Sequence, residues 1–384
     1  MKKRNLFVDA LPLSTERISG VGHSLHGLIS VLSSNETILN NYNVKLLTTR
    51  SGYKHLSSWG FKNVKYVKMP IPNRVANRIP TLPLVPPLDI LLWKGVYLFP
   101  NFRSWPLIWS FSITWVHDIG FLLHPQYVAP RNQKMLQKNI NRWVRWSSMI
   151  ATVSESSKAE IERNLLVNKD NILVVHNGVD EDDFSPVEET KYNLVLKKYG
   201  LPKNYFLYLG NIEPRKNIAR LIRAYHQLPG EIKRNHPLVL VGGGGWLSDE
   251  IFEEMKKAIS SGDKIVHPEE YVTDIDLPSI YSASCGLVHP AIYEGFGISP
   301  IQAMSCGVPV IVSNTSSLPE VVGDAGFYVD PLNEREITGA MKRMVEDKEA
   351  RKALIEKGEE RAKKFTWEAG SEELIEILKD KAKA

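Results

Sequence analysis

His289-Pro290-Ala291-Ile292-Tyr293-Glu294-Gly295-Phe296-Gly297-Ile298-Ser299-Pro300-Ile301-Gln302-Ala303-Met304 is the stretch on which the fold turns. An apolar run ends near His289, a turn follows with glycines at 295 and 297, and a helical pattern begins near Ser299. This is a strand–turn–helix unit. Glycine lets the backbone come close to a ligand, and the first turn of the helix offers unpaired N–H groups suited to a phosphate. Glu294 stands just before the turn and Gln302 about one turn into the helix, so two polar side chains bracket one rigid element. The same residues also read as a plain βα turn, with Glu294 as an acid beside the helix N-terminus.

The pattern repeats in both directions along the chain. Asn5–Asp9, Val44–Thr48, Gly95–Phe99, Ile113–His117, Met149–Val153 and Ile172–His176 are apolar runs with helical stretches between them. Tyr205–Leu209, Leu238–Val241, Cys285–His289 and Pro309–Val312 form a second series. Continuous apolar strands alternating with helices imply parallel sheets covered on both faces. The fold class is therefore α/β, with two doubly wound, Rossmann-like domains facing a cleft. The boundaries fall at 1–185, 186–365 and 366–384, with the polar stretch from Pro186 to Leu201 as linker. The last segment reads as a helix over Trp367 to Lys383, packing back towards the first domain.

A chain of 384 residues with 43% apolar content supports two ordinary cores. Only Cys285 and Cys306 are present, which excludes a disulfide framework and a cysteine-based zinc site and favours a reducing, cytoplasmic setting. Asp9 cuts short the apolar run after Arg4, so the start reads as a strand and not a signal peptide. No stretch reaches the roughly 18–20 apolar residues of a membrane span. The best candidate, Leu82 to Phe99, is broken by three prolines, Asp89 and Lys94.

The net charge of +5 conceals an asymmetry. Residues 1–165 hold 21 Lys/Arg against 8 Asp/Glu, and the remainder holds 27 against 35. Seven of nine tryptophans also lie in the first part: Trp59, Trp93, Trp105, Trp109, Trp115, Trp143 and Trp146. Two readings stand side by side. One is an anionic partner, such as phosphates or a membrane face; the other is core tryptophans under a solvated basic surface. No nucleic-acid motif accompanies the charge, so nucleic acid is not expected as a partner.

With these residues in view, the segment around Glu294 resembles the signature of the retaining glycosyltransferases of family four, which have the GT-B fold. That signature is a Glu followed by Gly-Phe-Gly, with a second Glu eight residues after the first. The resemblance extends over most of the chain. Leu209-Gly210-Asn211-Ile212-Glu213-Pro214-Arg215-Lys216-Asn217 resembles the family's diphosphate loop, and Val175-His176-Asn177-Gly178-Val179-Asp180 its interdomain stretch. Val116-His117-Asp118 and Thr152-Val153-Ser154-Glu155 match segments of its acceptor domain, and Ser19-Gly20-Val21-Gly22 matches its first glycine loop.

The resemblance implies roles. Arg215 and Lys216 would stabilise a departing nucleoside diphosphate, whose charge fixed cations and N–H groups favour. Glu294 would position the sugar, Gly295, Phe296 and Gly297 would bring backbone N–H groups close, and His117 would lie near the donor sugar. Gly20 and Gly22 would let the N-terminal loop approach the diphosphate and acceptor. Val272, in Tyr271-Val272-Thr273-Asp274, would meet the nucleobase through its backbone. Gly242 to Gly245 would allow close ligand approach, although four glycines also read as a flexible turn. Asp180, Asp182 and Asp183 invite a metal reading, but the resemblance implies an interdomain loop and no catalytic metal.

Two departures matter. Many relatives carry Arg where this chain has Asn211, and Arg215 is the candidate to supply that charge. Gln302 stands where the family has its second Glu, which holds the ribose hydroxyls. An amide offers one acceptor and one donor group where a carboxylate offers two acceptors. The expected function is transfer of a hexose from a nucleotide-sugar, with retention, in surface-polysaccharide assembly. His117-Asp118 and the aromatic stretch to Arg131 resemble mannosyltransferases, which makes GDP-mannose the first donor, with a UDP-sugar or dTDP-rhamnose behind it. A saccharide or lipid-linked saccharide would accept it, with the enzyme cytoplasmic and peripheral on the inner face of an anionic membrane. The rivals are a nucleotide-sugar epimerase of the same fold and a non-catalytic nucleotide-sugar binding protein.

Overall fold

The computed structural model describes residues 3–15 and 19–383. The chain divides into two compact units. One comprises Met1–Pro125, Pro130–Gly178 and Trp367–Ala384, the other Gln126–Ala129 and Val179–Thr366.

The first unit is built on a seven-stranded sheet of β1 (Arg4–Asp9), β2 (Tyr42–Thr49), β3 (Val64–Met69), β4 (Val96–Phe99), β5 (Phe111–Trp115), β6 (Met149–Thr152) and β7 (Ile172–Val174). All of its pairings are parallel, and the order is β3-β2-β1-β4-β5-β6-β7. The second unit repeats the plan with β8 (Tyr205–Leu209), β9 (Leu238–Val241), β10 (Ile265–Val266), β11 (Ser284–His289), β12 (Val310–Ser313) and β13 (Gly326–Val329). Its order is β10-β9-β8-β11-β12-β13, again parallel. In each sheet the winding reverses beside the first strand, between β1 and β4 and between β8 and β11. The crevice at the carboxyl ends of such a pair is where doubly wound sheets bind ligands.

Burial on both faces explains why the central strands read as unbroken apolar runs. All six residues of β11 and all four of β9 are buried. Three strands escaped the sequence reading, β3, β10 and β13, and each is a sheet edge. β3, Val-Lys-Tyr-Val-Lys-Met, exposes both lysines. Such inserted charge protects an edge from pairing with another chain and hides the strand from a search for apolar runs.

The stretch from Pro186 to Leu201 is not a linker. It holds a helix, Glu189–Tyr199, which buries Leu196 and Tyr199 and ends on Gly200 in the left-handed conformation at φ 64°. Tyr192, Val195, Leu196 and Tyr199 stand at i, i+3, i+4 and i+7, an apolar stripe within a polar stretch, and Gly200 supplies the helix stop. The helix is thus written locally, and the linker reading passes over it. The final helix, Trp367–Lys383, belongs to the first unit, where the Tyr42 hydroxyl donates to the Leu378 carbonyl at 2.6 Å. Among the described residues no helix is long and apolar enough to cross a membrane. Cys285 and Cys306 are both buried free thiols.

Candidate active site

The loops after β8 and β11 leave neighbouring strands at the reversal of the second sheet. After β8 comes a short 3-10 turn, Pro214–Lys216, closed by Asn217 in the left-handed conformation at φ 64°. The Asn217 side chain holds that shape, donating to the carbonyls of Pro290 at 2.9 Å and Pro331 at 2.6 Å. The Arg215 carbonyl accepts from the Ile292 N–H at 2.9 Å. The two loops are thus tied by their backbones before any charged side chain is considered.

Glu294 lies at the centre, 7% exposed. One carboxylate oxygen accepts from Arg215 Nη1 at 2.9 Å; the other accepts from Lys216 Nζ and from His289 Nε2, the latter at 2.8 Å. Arg215 also donates to the Tyr293 carbonyl at 2.8 Å and to Glu213 Oε1 at 2.7 Å. Burial pushes the Glu294 carboxyl up, but the adjacent Lys216 and Arg215 cations and the His289 hydrogen bond outweigh it. The group is held well below the usual carboxylate range. Burial lowers the Lys216 ammonium, with Glu294 opposing the shift and Arg215 adding to it. Burial likewise lowers His289, against its bond to Glu294.

His289, Glu213 and Tyr208 were not among the site residues expected from sequence. His289 Nε2 must carry the proton that Glu294 accepts, and Nδ1 is buried with no hydrogen-bond partner among the described residues. The Tyr208 ring stacks on His289 at 6.1 Å and 6°. The signal for His289 was its place five residues before Glu294, which on its own could not show a contact. Ser317 fastens the glycine turn, its hydroxyl donating to the carbonyls of Glu294 at 2.9 Å and Phe296 at 2.7 Å. Phe296 points inward against Phe365, with ring centroids 5.8 Å apart.

Gly297 precedes the helix Ile298–Ser305 with φ 103°, and a Cβ there would sit 2.7 Å from Leu318 Cδ2. Both facts demand glycine. Gln302 is half-buried on this helix, and its side-chain oxygen accepts from the Tyr281 hydroxyl at 3.0 Å.

The glycine run after β9 is no flexible turn. The Ile212 N–H donates to the Gly243 carbonyl at 2.9 Å and the Gly245 N–H to the Ile212 carbonyl at 2.8 Å. A Cβ on Gly242, whose φ is 148°, would fall 1.9 Å from the Gly210 carbonyl oxygen. Asn211, the residue in place of the family's Arg, is exposed on the joined loops, and its carbonyl accepts from the Tyr208 hydroxyl at 2.9 Å. Val272 is buried beside Thr273, whose N–H donates to the Tyr199 hydroxyl at 3.3 Å. Asp180 shapes a local turn, its carboxylate accepting from the Asp182 N–H at 3.0 Å. Among the described residues no group of three or more His, Cys, Asp or Glu is placed to hold a metal ion.

The remaining expected residues belong to the first unit. His117 stands two residues beyond β5. Its Nε2 meets the Pro100 carbonyl at 2.8 Å, and burial lowers its pKa against that bond and Asp118. Gly20 and Gly22 form no open loop; they are the first turn of the helix Gly20–Ser34. Among the described residues the Ser19 side chain makes no cap to that turn, and the first turn of a helix is suited to an anion.

The model of the family described as glycosyl transferases group 1 matches residues 196–361. An O-antigen chain mannosyltransferase B from Escherichia coli is 35% identical over 285 residues, 74% of this chain and 74% of that protein. An O-antigen chain mannosyltransferase from Salmonella typhimurium is 28% identical over 296 residues, 73% of this chain and 77% of that one. Among solved structures, a sucrose-phosphate synthase from Thermosynechococcus elongatus aligns with a TM-score of 0.73 and 17% identity over 99% of each chain. That last likeness is one of fold.

Proposed function

Because this chain belongs to the group 1 glycosyltransferases, family-four enzymes of GT-B fold, we propose that it transfers mannose from GDP-mannose to a saccharide carried on a lipid, in the assembly of a surface polysaccharide. The named activity of the mannosyltransferase relatives supports this sugar, and nothing in those relatives favours the epimerase alternative. A UDP-sugar or dTDP-rhamnose remains the competing donor.

The observation that carries the reading is the convergence of Arg215 and Lys216 on Glu294 from loops flanking the sheet reversal. In this reading the donor diphosphate takes up donors from both cations, while Glu294 turns its free acceptor capacity to the sugar hydroxyls. A carboxylate held ionised between two cations is a poor proton acceptor at neutral pH, because an efficient general base has a pKa near the working pH. Glu294 is therefore a positioning and electrostatic group. The bond from the sugar C1 to the diphosphate oxygen breaks, and the acceptor oxygen bonds to C1 on the same face. The acceptor proton passes to the leaving phosphate. No protein carboxylate serves as nucleophile.

Fixed cations need no reorganisation as charge develops on the leaving group, and such donors are each worth about 10²–10³ in rate. The enzyme would work on the cytoplasmic face of the membrane, where its basic first unit meets anionic lipid.

The test is GDP release and mannosyl transfer by the purified protein, together with a melting-temperature panel of GDP, UDP, dTDP and ADP. GDP should stabilise most, and GDP release should require acceptor. Stabilisation by UDP or dTDP alone would replace the donor. Stabilisation by nucleotide with no release on any acceptor would leave a binding protein.

A further inference from the structure

At the amino ends of β1, β4 and β5, opposite the ligand-binding edge of the first sheet, the chain exposes large apolar side chains. Trp93 is 77% and Trp109 60% exposed, with Ile90, Leu91 and Ile108 beside them in sequence, each more than half exposed. These are not the ends of floppy loops. The buried Asp89 carboxylate accepts from the Ile108 N–H at 3.1 Å and the Trp109 N–H at 2.8 Å, while its carbonyl accepts from the Trp93 N–H at 3.1 Å. One residue thus joins the backbones of both exposed tryptophans.

Trp93 itself adopts φ 83° and ψ 163°, a region that side chains other than glycine avoid. The Tyr97 hydroxyl holds it there, donating to its carbonyl at 2.6 Å. The packing accepts a strained backbone and leaves the indole outside.

Beside Trp109 lies a recess of about 510 Å³ lined by Lys3, Arg4, Lys94 and Lys381 together with Phe111. Lys381 Nζ sits 4.4 Å above the Phe111 ring, and the Arg4 guanidinium donates to the Lys381 carbonyl. The final helix therefore helps to build the recess. Among the described residues no acidic side chain lines it. Rigid tryptophans and aliphatic side chains next to clustered cations match the interface of an anionic bilayer. Indoles settle there at headgroup depth, and each basic residue gains from the negative surface potential.

We propose that this face docks on an anionic membrane, with Trp93 and Trp109 entering the headgroup region and the basic recess taking a lipid phosphate. The inference rests on the reading that the acceptor is lipid-linked, and it names the surface that would hold the enzyme on the membrane carrying that acceptor.

The test is flotation of the intact protein with phosphatidylcholine vesicles, with and without phosphatidylglycerol. The protein should float only with the anionic vesicles, and less as salt rises. Trp93→Ser with Trp109→Ser should lower the bound fraction about tenfold, as should Lys94→Glu with Lys381→Glu. GDP release with a soluble saccharide acceptor should be unchanged in both variants. Wild-type protein that stays unbound, or a tryptophan variant that floats like the wild type, overturns the proposal. So does a wild-type dimer that the tryptophan variant dissociates, because a second copy would then cover the face. Failure of the enzymatic reading would show separately, as no GDP release with any acceptor.

Discussion

The hydroxyl of Tyr281 donates to the side-chain oxygen of Gln302 across 3.0 Å. Tyr281 is fully buried and burial raises its pKa, so it stays a protonated donor. One of the two acceptor positions on the Gln302 amide oxygen is therefore engaged by the protein, which leaves the other and the NH₂ group for a ligand.

Gln302→Glu would put a second acceptor where the NH₂ now stands, and a hydroxyl donor from the ribose would meet a charged group. Charge-assisted bonds exceed neutral ones by about 1 kcal/mol, roughly a fivefold gain in binding. Isothermal titration with GDP should show this gain for Gln302→Glu and a loss of similar size for Gln302→Ala. Equal affinity in all three proteins would remove residue 302 from the nucleotide site.

Lys216→Ala leaves Glu294 bonded to Arg215 and His289, so the fold should survive while transfer falls by about 10²–10³. Glu294→Ala differs, because it strands two cations that are 23% and 13% exposed. Breaking such a buried cluster costs about 3 kcal/mol, and Glu294→Gln should recover part of the stability but not the activity. Denaturant unfolding beside a GDP-release assay separates the two effects. A Lys216→Ala enzyme working at the wild-type rate would end the proposed role of that lysine.

Asp9 closes β1 at the reversal of the first sheet, and burial pushes its carboxyl up to about 6, against the Leu11 N–H and Arg103. The folded state therefore binds the proton more tightly than the unfolded chain. The stability linked to that proton is fully present below about 4 and is lost as pH rises through 6. Asp9→Asn should accordingly match the wild type at pH 4 and be more stable by about 2–3 kcal/mol at pH 8. Glu294 and His289 carry the opposite sign, since both are lowered by folding. Their contribution is complete above the unfolded value of each group and fades as pH falls, His289 below about 6.5 and Glu294 below about 4.3. Thermal melts of the wild type and Asp9→Asn across this range would show the two diverging as pH rises through 6, and a Tm difference independent of pH would contradict it.

The glycine run offers a pair of substitutions with contrasting outcomes. Gly243→Ala meets nothing within 4 Å, whereas Gly242→Ala drives a Cβ to 1.9 Å from the Gly210 carbonyl at a φ of 148°. The first should leave Tm and GDP affinity near wild type. The second should separate the two loops, lower stability by about 2 kcal/mol or more, and weaken GDP binding. Similar behaviour of the two variants would mean that the loops are not packed as described.

Composition and apolar periodicity alone determined that this is a two-part α/β protein. A parallel strand buried on both faces must be apolar along its whole length, and that demand is written locally in runs such as Tyr205–Leu209 and Cys285–His289. The glycine turn after Glu294 and the cations Arg215-Lys216 were legible for the same reason, since a short motif carries its own backbone chemistry. Edge strands were not, because β3 buries none of its residues fully and its two exposed lysines dilute the pattern. Only the tertiary structure brought Lys216 and His289 onto Glu294, a pairing that joins residues 78 apart in the chain in one case and five apart in the other. It also sorted the tryptophans of the first unit, burying Trp105, Trp115 and Trp143 and leaving Trp93 and Trp109 outside. A residue's type states what it gains from burial; which residues obtain it depends on the surfaces that distant strands and loops have already covered.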